Sequence, residues 1–276
     1  MASCTQRLTL FLSDDSLPQT HAILTGRIVS TAPQRQAQQS PATPVADVGV
    51  GRWFRRIGAQ ARKTLLRLRL GMRWEKTEQG ISRRLYPDYE TYLRHQRMKL
   101  DASRSSFLIR HDARFYQALS DRLAALPVDL KRRSVLCIAA RQGTEVRAFI
   151  DRGAFAVGID LNPGRDNRYV VVGDFHALQY GDGTVDVVYT NSLDHAFDLE
   201  RVLGEIRRVL MPGGVLIVEL NLEGGQSSGA GFYESLLWSS ADDMITRIAA
   251  AGFSVQSRTP FEKQVRGEQV VFRAGV

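Results

Sequence analysis

The stretch SVLCIAARQGTEVRAFIDRGAFAVGIDLNPGRDNRYVVVGD, residues 134–174, decides the fold. It opens with an apolar run, Val135 to Ala140, of the length and composition of a buried strand, followed by a short loop ending at Gly143. Residues 144–152 have helical character; a second apolar run, Ala156 to Ile159, ends on Asp160, and a third, Tyr169 to Val172, leads to Asp174. Strand, loop, helix and strand with an acid at the carboxyl tip is the βαβ nucleotide-binding unit. Apolar runs without polar alternation imply strands buried on both faces, hence a parallel sheet between helix layers.

Spacing gives the unit its chemistry. A carboxylate about 20 residues beyond the start of the first loop can accept both hydroxyls of a ribose, and Asp160 stands there. Dinucleotide enzymes place three glycines ahead of that acid so that the backbone can approach a pyrophosphate. Here Gly143 remains, while Ala139, Ala140 and Arg141 fill the rest of the turn. A nucleoside ligand without phosphates suits such a loop better than a dinucleotide. An NAD-dependent oxidoreductase is disfavoured on the same ground.

From Ser134 to Leu220 the chain resembles the class I S-adenosylmethionine-dependent methyltransferases. VLCIAARQGTE stands where the family has its first motif, usually VLDxGCGxG, in a degenerate form: Cys137 replaces the usual acid, and Ala139 and Arg141 replace glycines. GIDLNP matches the acid after the second strand, VVGDFHALQYGDGTVDVVYTNSLDH the stretch through the fourth, and EIRRVLMPGGVLIVE the helix, turn and fifth strand. The resemblance implies a Rossmann-like α/β fold, a mostly parallel seven-stranded sheet with an antiparallel terminal strand, preceded by N-terminal helices. It implies S-adenosyl-L-methionine as cofactor, with Asp160 on the ribose, Asp174 and Phe175 on the adenine, and the backbone at Gly143 and Thr144 on the methionyl carboxylate. Arg141 would pair with that carboxylate or else face solvent; Ala139, Leu161 and Asn191 complete the expected cofactor contacts. After the fourth strand, His195 is the candidate base, because imidazole titrates near neutrality, with Asp194 orienting it or binding a substrate hydroxyl. A structural hydrogen-bonding histidine is the alternative. His176, Asp174, Asp194 and His195 lack the tight spacing of a metal site, and no metal is expected.

Charge is local. Of 276 residues, 37 are Lys or Arg and 29 Asp or Glu, yet residues 52–76 alone hold nine basic residues and one acid, Glu75; elsewhere the charges cancel. The basic pI is therefore no sign of a nucleic-acid-binding domain. Two cysteines, Cys4 and Cys137, exclude a disulfide framework; Cys137 should be a small buried hydrophobe.

Four segments follow. Residues 1–51, rich in Ser, Thr, Gln and Pro with three acids, read as a disordered tail or an organelle-targeting segment. Residues 52–80 read as a basic amphipathic helix: Trp53, Phe54, Ile57, Ala61, Leu65, Leu68 and Met72 share one face through residue 76, opposite six Arg or Lys. Such a helix suits an anionic membrane surface or its own domain. Residues 81–126 read as helices over the cofactor, 86–100 starting near Asp88 and 107–126 near Asp112, with Tyr86, Tyr89, Tyr92, His95 and Gln96 within reach of substrate or merely packed. Residues 127–276 form the methyltransferase domain. Only a short loop, 162–168, joins its second and third strands, so an irregular connection replaces the usual helix. The expected elements beyond are strand 185–190, helix 199–210 stopped by Met211-Pro212-Gly213-Gly214, strand 215–220, a Gly/Ser loop at 221–231, helix 239–251 and an antiparallel pair, 253–261 and 269–273. The expected function is methyl transfer to a small-molecule or glycan-type acceptor, at oxygen, in a cytoplasmic protein, peripheral to a membrane or imported into an organelle. The alternative is a catalytically weak relative serving as a partner or regulatory subunit.

Overall fold

The computed structural model describes residues 73–275 except 78–79, 102–105, 223–230 and 263–265, together with helical residues 58, 61, 64, 65 and 68. The expected tail 1–51 and most of the basic helix, Trp53, Phe54, Ile57 and Met72 included, lie outside the described residues. The helical reading fails at that segment's end, where Trp74–Lys76 (β1) is a strand. It pairs antiparallel with Ile81–Arg84 (β2), which pairs with Leu236–Trp238 (β8), giving a small three-stranded sheet. Two helices follow β2, Tyr89–Asp101 (α1) and Ser106–Ala124 (α2). Asp88 starts α1, its Oδ1 accepting from the Thr91 amide at 2.7 Å. Asp112 starts nothing: it lies within α2 and accepts from Arg147 (2.6 Å) and from the Thr144 hydroxyl.

The large sheet has seven strands: Ser134–Ile138 (β3), Phe155–Asp160 (β4), Val170–Val172 (β5), Val185–Thr190 (β6), Leu210–Asn221 (β7), Phe253–Phe261 (β9) and Gly267–Ala274 (β10). Their order is β5-β4-β3-β6-β7-β10-β9; the first five run parallel and β10 is antiparallel to both neighbours. This is the Rossmann-like methyltransferase architecture, with an antiparallel pair closing a parallel sheet.

Alternation divides the core. Leu136 and Ile138 of β3, Leu216, Val218 and Leu220 of β7, and Val270 and Phe272 of β10 face one way. Val135, Cys137, Ile217 and Val271 face the other. The first face is covered by Leu199–Val209 (α4) and Ala241–Ala250 (α5), the second by α2 and Thr144–Ile150 (α3). α4 forms because its apolar residues recur at helical spacing and Asp198 caps its first turn, accepting from the Arg201 amide at 3.0 Å. Leu199, Val202, Leu203, Ile206 and Val209 are all buried, each contributing about 1.5–3 kcal/mol. Ile206→Ala would cost roughly 2–5 kcal/mol.

Of two unusual strand connections, the first departs from expectation and the second meets it. β7 begins at Leu210, before the Pro-Gly-Gly turn, and its pairing with β6 jumps from Val185↔Leu210 to Val187↔Val215. The Pro-Gly-Gly segment is thus a bulge inside a strand rather than a separate stop. Between β4 and β5 the connection carries no helix, as the short link requires, and leaves Val171 (45% exposed) and Val172 (66%) on a bare edge. On the α2 face, Glu219 of β7 is 4% exposed; it accepts Arg122 of α2 through both oxygens (2.7 and 2.8 Å) and Gln269 of β10 at 3.0 Å. Among the described residues no helix is long and apolar enough to cross a membrane.

Candidate active site

Parallel strands point their carboxyl ends at one edge, and loops there collect the functional side chains. A cleft at this edge encloses about 510 Å³ with its open mouth. Ala139 after β3, Arg141, Asp160 at the tip of β4, Leu161, Phe175 after β5 and His195 after β6 all line it. These six expected site residues are brought together. Tyr92 and Gln96 of α1, Gly173 and Ser192 complete the wall.

Asp160 is set by backbone donors. Its Oδ2 accepts from the Arg141 amide (3.0 Å) and its Oδ1 from the Asn162 amide (2.9 Å). A carboxylate offers about four lone-pair sites, so two remain for the hydroxyls of a ribose. The loop before it keeps the shape of a glycine loop without the glycines: φ is +58° at Ala139, +43° at Arg141 and +81° at Gly143. Left-handed backbone at a residue with a Cβ costs of order 1–2 kcal/mol, so the surrounding contacts impose it. Gly143 is needed for packing as well, since a Cβ there would lie 2.6 Å from Tyr169 Cβ. Gly143 and Asn191 do not line the cleft; Asn191 Nδ2 donates to Glu145 Oε1 at 3.4 Å. An anionic rest for a diol, apolar side chains at Leu161 and Phe175 and a cation at Arg141 fit the ribose, base and carboxylate of S-adenosylmethionine.

Asp174 does not line the cleft. Its Oδ1 accepts from the His176 amide and from His176 Nδ1–H (both 2.9 Å), and its Oδ2 from the Tyr89 hydroxyl at 2.5 Å. His176 Nε2 accepts from the Phe197 amide (3.1 Å) and the Asp198 amide (3.3 Å). Two N–H donors at Nε2 place the ring proton on Nδ1, so His176 is a neutral clamp between the loops after β5 and β6. Burial alone would raise the Asp174 carboxyl, but bonds from His176 and Tyr89 outweigh it and hold the group below the usual carboxylate range.

His195 lies at the end of the 3₁₀ turn Leu193–His195. Its Nδ1 is 2.9 Å from the Tyr233 carbonyl, which only accepts, so Nδ1 carries a proton and, in the neutral ring, Nε2 the lone pair. Asp194 Oδ2 lies 3.5 Å from Nε2, placed to favour the imidazolium that forms when Nε2 takes a proton. The nearby His95 is 1% exposed, and burial first, then the charges of Arg84 and His195, push it down to about 4. It is neutral at physiological pH.

Sequence reading missed Glu145, buried in the first turn of α3 beneath the loop and pushed up to about 7 by burial. An acid beside Gly143 in the nucleotide-binding helix was the available signal. It missed, too, the segment 231–235, which Arg84 holds by donating to the carbonyls of Glu234 (2.9 Å) and Gly231 (3.0 Å). Among the described residues no cluster of His, Cys, Asp or Glu could hold a metal.

Comparison with known proteins agrees with this geometry. Residues 136–218 match the family model described as a methyltransferase domain. An uncharacterized methyltransferase of Mycobacterium sp. (strain KMS) is 32% identical over 144 residues, 44% of this chain and 57% of the relative. A malonyl-[acyl-carrier protein] O-methyltransferase of Coxiella burnetii is 32% identical over 110 residues, 37% and 39% of the two chains. The chain thus spans little more than half the length of the mycobacterial relative. Among solved structures, the 1,6-didemethyltoxoflavin-N1-methyltransferase of Burkholderia thailandensis, bound to S-adenosylhomocysteine, superposes with a TM-score of 0.55 at 14% identity, covering 74% of this chain and 99% of its own. A Haloferax volcanii putative methyltransferase, in complex with the Trm112 methyltransferase activator, gives 0.53 at 21%, covering 66% and 98%. The sheet order, the strand-tip acid and the family match fall on the same residues: segment 136–218 is a methyltransferase domain of the class I S-adenosylmethionine-dependent fold, with a degenerate first motif.

Proposed function

We propose that the chain transfers a methyl group from S-adenosylmethionine to an oxygen of a small-molecule or glycan-type acceptor. The observation that carries this is one cleft holding both a ribose-type carboxylate, Asp160, and an imidazole whose basic nitrogen is defined, His195. When bound, S-adenosylmethionine supplies a methyl on a sulfonium, whose neutral leaving group needs no acid. Positioning therefore contributes most of the acceleration. Asp160 takes the diol, Arg141 faces the carboxylate in a charge-assisted contact, and Leu161 with Phe175 excludes water from the base. His195 Nε2 accepts the hydroxyl proton as the oxygen–carbon bond forms and the carbon–sulfur bond breaks, and Asp194 stabilises the resulting cation. Titration calorimetry with S-adenosylmethionine tests the donor half. Asp160→Ala should weaken binding by about 1.5–3 kcal/mol, roughly 10- to 150-fold; unchanged affinity would remove Asp160 from the site.

A second reading, a weak methyltransferase-fold partner subunit, is favoured by the Ala139 and Arg141 substitutions, and the Haloferax neighbour's activator is a precedent for assembly. Wild-type protein that binds neither S-adenosylmethionine nor S-adenosylhomocysteine would select it. For the basic segment we propose contact with an anionic membrane, supported by exposure of Leu65 (52%) and Leu68 (75%) on its apolar face. Full-length protein should sediment with anionic vesicles at low salt and release as salt rises; no sedimentation at low salt would end that idea.

A further inference from the structure

Residues 231–235 have no regular secondary structure, and side-chain donors hold the carbonyls of Gly231, Tyr233 and Glu234. The Tyr233 carbonyl receives two donors. His195 Nδ1 lies 2.9 Å from it and Gln96 Nε2, from α1, 2.8 Å. A carbonyl has two lone pairs, so both bonds can form together. The orientation of the Gln96 amide is settled by chemistry, because only its NH₂ end can face a carbonyl oxygen. The same NH₂ reaches Ser235 Oγ at 3.3 Å, and the Ser235 amide donates to the Asp194 carbonyl at 2.7 Å. Gln96 thus ties the segment to α1 at the residue His195 uses.

We propose that Gln96 is a positioning residue: by pinning the Tyr233 carbonyl it fixes His195 as the Nδ1–H tautomer and leaves Nε2 as the basic atom of the cleft. Imidazole in water prefers the opposite tautomer, with its proton on Nε2, and in that form the nitrogen beside Asp194 is a donor and useless as a base. The carbonyl reverses the preference only while it stays within hydrogen-bond distance of Nδ1. This inference rests on the reading of His195 as the base, but its test does not, since the tautomer is read without donor or acceptor bound.

The experiment is long-range proton–nitrogen correlation NMR on the full chain labelled in its histidine rings, with His195→Gln used for assignment. Above the imidazole titration range, wild-type His195 should carry its proton on Nδ1. Gln96→Met, which keeps the bulk and removes the donor, should shift His195 toward the Nε2–H form. His176, held through Asp174 and two amides, should stay Nδ1–H in both and report an intact fold. A wild-type His195 protonated on Nε2 overturns the proposal. So does a Gln96→Met protein whose His195 keeps the wild-type tautomer. If Gln96→Met fails to fold, the wild-type spectrum and Ser235→Ala, which removes the second anchor of the Gln96 amide, carry the test: the latter should show a smaller shift in the same direction, and no shift overturns it. Loss of S-adenosylmethionine binding in wild type would defeat methyl transfer while leaving this result untouched.

Discussion

The loops after β5 and β6 each place a histidine next to an aspartate, and in sequence the two look alike. In the structure they do opposite work. His176 has both nitrogens committed, one to Asp174 and the other to two amides, at the centre of an aromatic packing that includes Tyr89 and Tyr92. His195 commits Nδ1 to a carbonyl and turns toward the cleft, its Nε2 near a carboxylate. An imidazole with N–H donors aimed at its lone pair is a structural part. One with a carbonyl aimed at its Nδ1–H has the tautomer that the proposed base requires. The residue type is the same, and the backbone group that meets it decides the role.

The comparison breaks if the clamp is not structural. Asp174→Ala removes the acceptor for three donors and should cost roughly 1.5–3 kcal/mol in urea unfolding, as when a charged hydrogen-bonding partner is deleted. His195→Ala should cost under about 1 kcal/mol. Equal losses would erase the distinction. Two acids behind the cleft, Glu145 and Asp174, should also respond to pH with opposite sign. Glu145, which receives Asn191 of the β6 loop, has a folded value of about 7, raised by burial from about 4.5. The folded state holds the proton more tightly, so stability falls as pH rises from about 4.5 to 7, by up to roughly 3 kcal/mol. Glu145→Gln should abolish that fall in unfolding experiments run across the window. Asp174 is depressed instead, so its stabilisation is present above its unfolded value near 4 and is lost as pH falls through the lower folded value. Asp174→Asn should flatten the acid limb below about pH 4. If wild type shows no acid limb, Asp174 is not held ionised by its donors. The smallest effect tests the first loop: Ala139→Gly should add about 0.5–1 kcal/mol, the relief of a left-handed Cβ less the added chain entropy of glycine. A loss instead would mean that the Ala139 methyl packs.

Much of the fold was legible because buried parallel strands cannot hide their apolar runs. Val135–Ile138 and Val185–Thr190 announced themselves, as did Asp160, placed by the length of one βαβ turn. The small sheet was not legible. Trp74–Lys76 and Ile81–Arg84 are short and charged, and β2 pairs with Leu236–Trp238 some 150 residues on, a partnership no local pattern carries. The bond from Tyr89 to Asp174 comes from α1, 85 residues earlier, so the motif position of Asp174 could not reveal it. The role of Gln96 likewise exists only where an irregular segment from far along the chain returns to α1.

The bond between Arg122 and Glu219 has a consequence for how the chain assembles. The partners are 97 residues apart, and Glu219 lies in the middle of a sheet that needs β3 and β6 in place first. Closing so long a loop before the sheet exists would sacrifice chain entropy for one ion pair, so this bond forms only once β7 is in the sheet. During synthesis α2 leaves the ribosome well ahead of the strand that holds its acid and must wait, its Arg122 hydrated, until β7 arrives. A cation made early is thus neutralised by an acid made about a hundred residues later, on the back of the sheet.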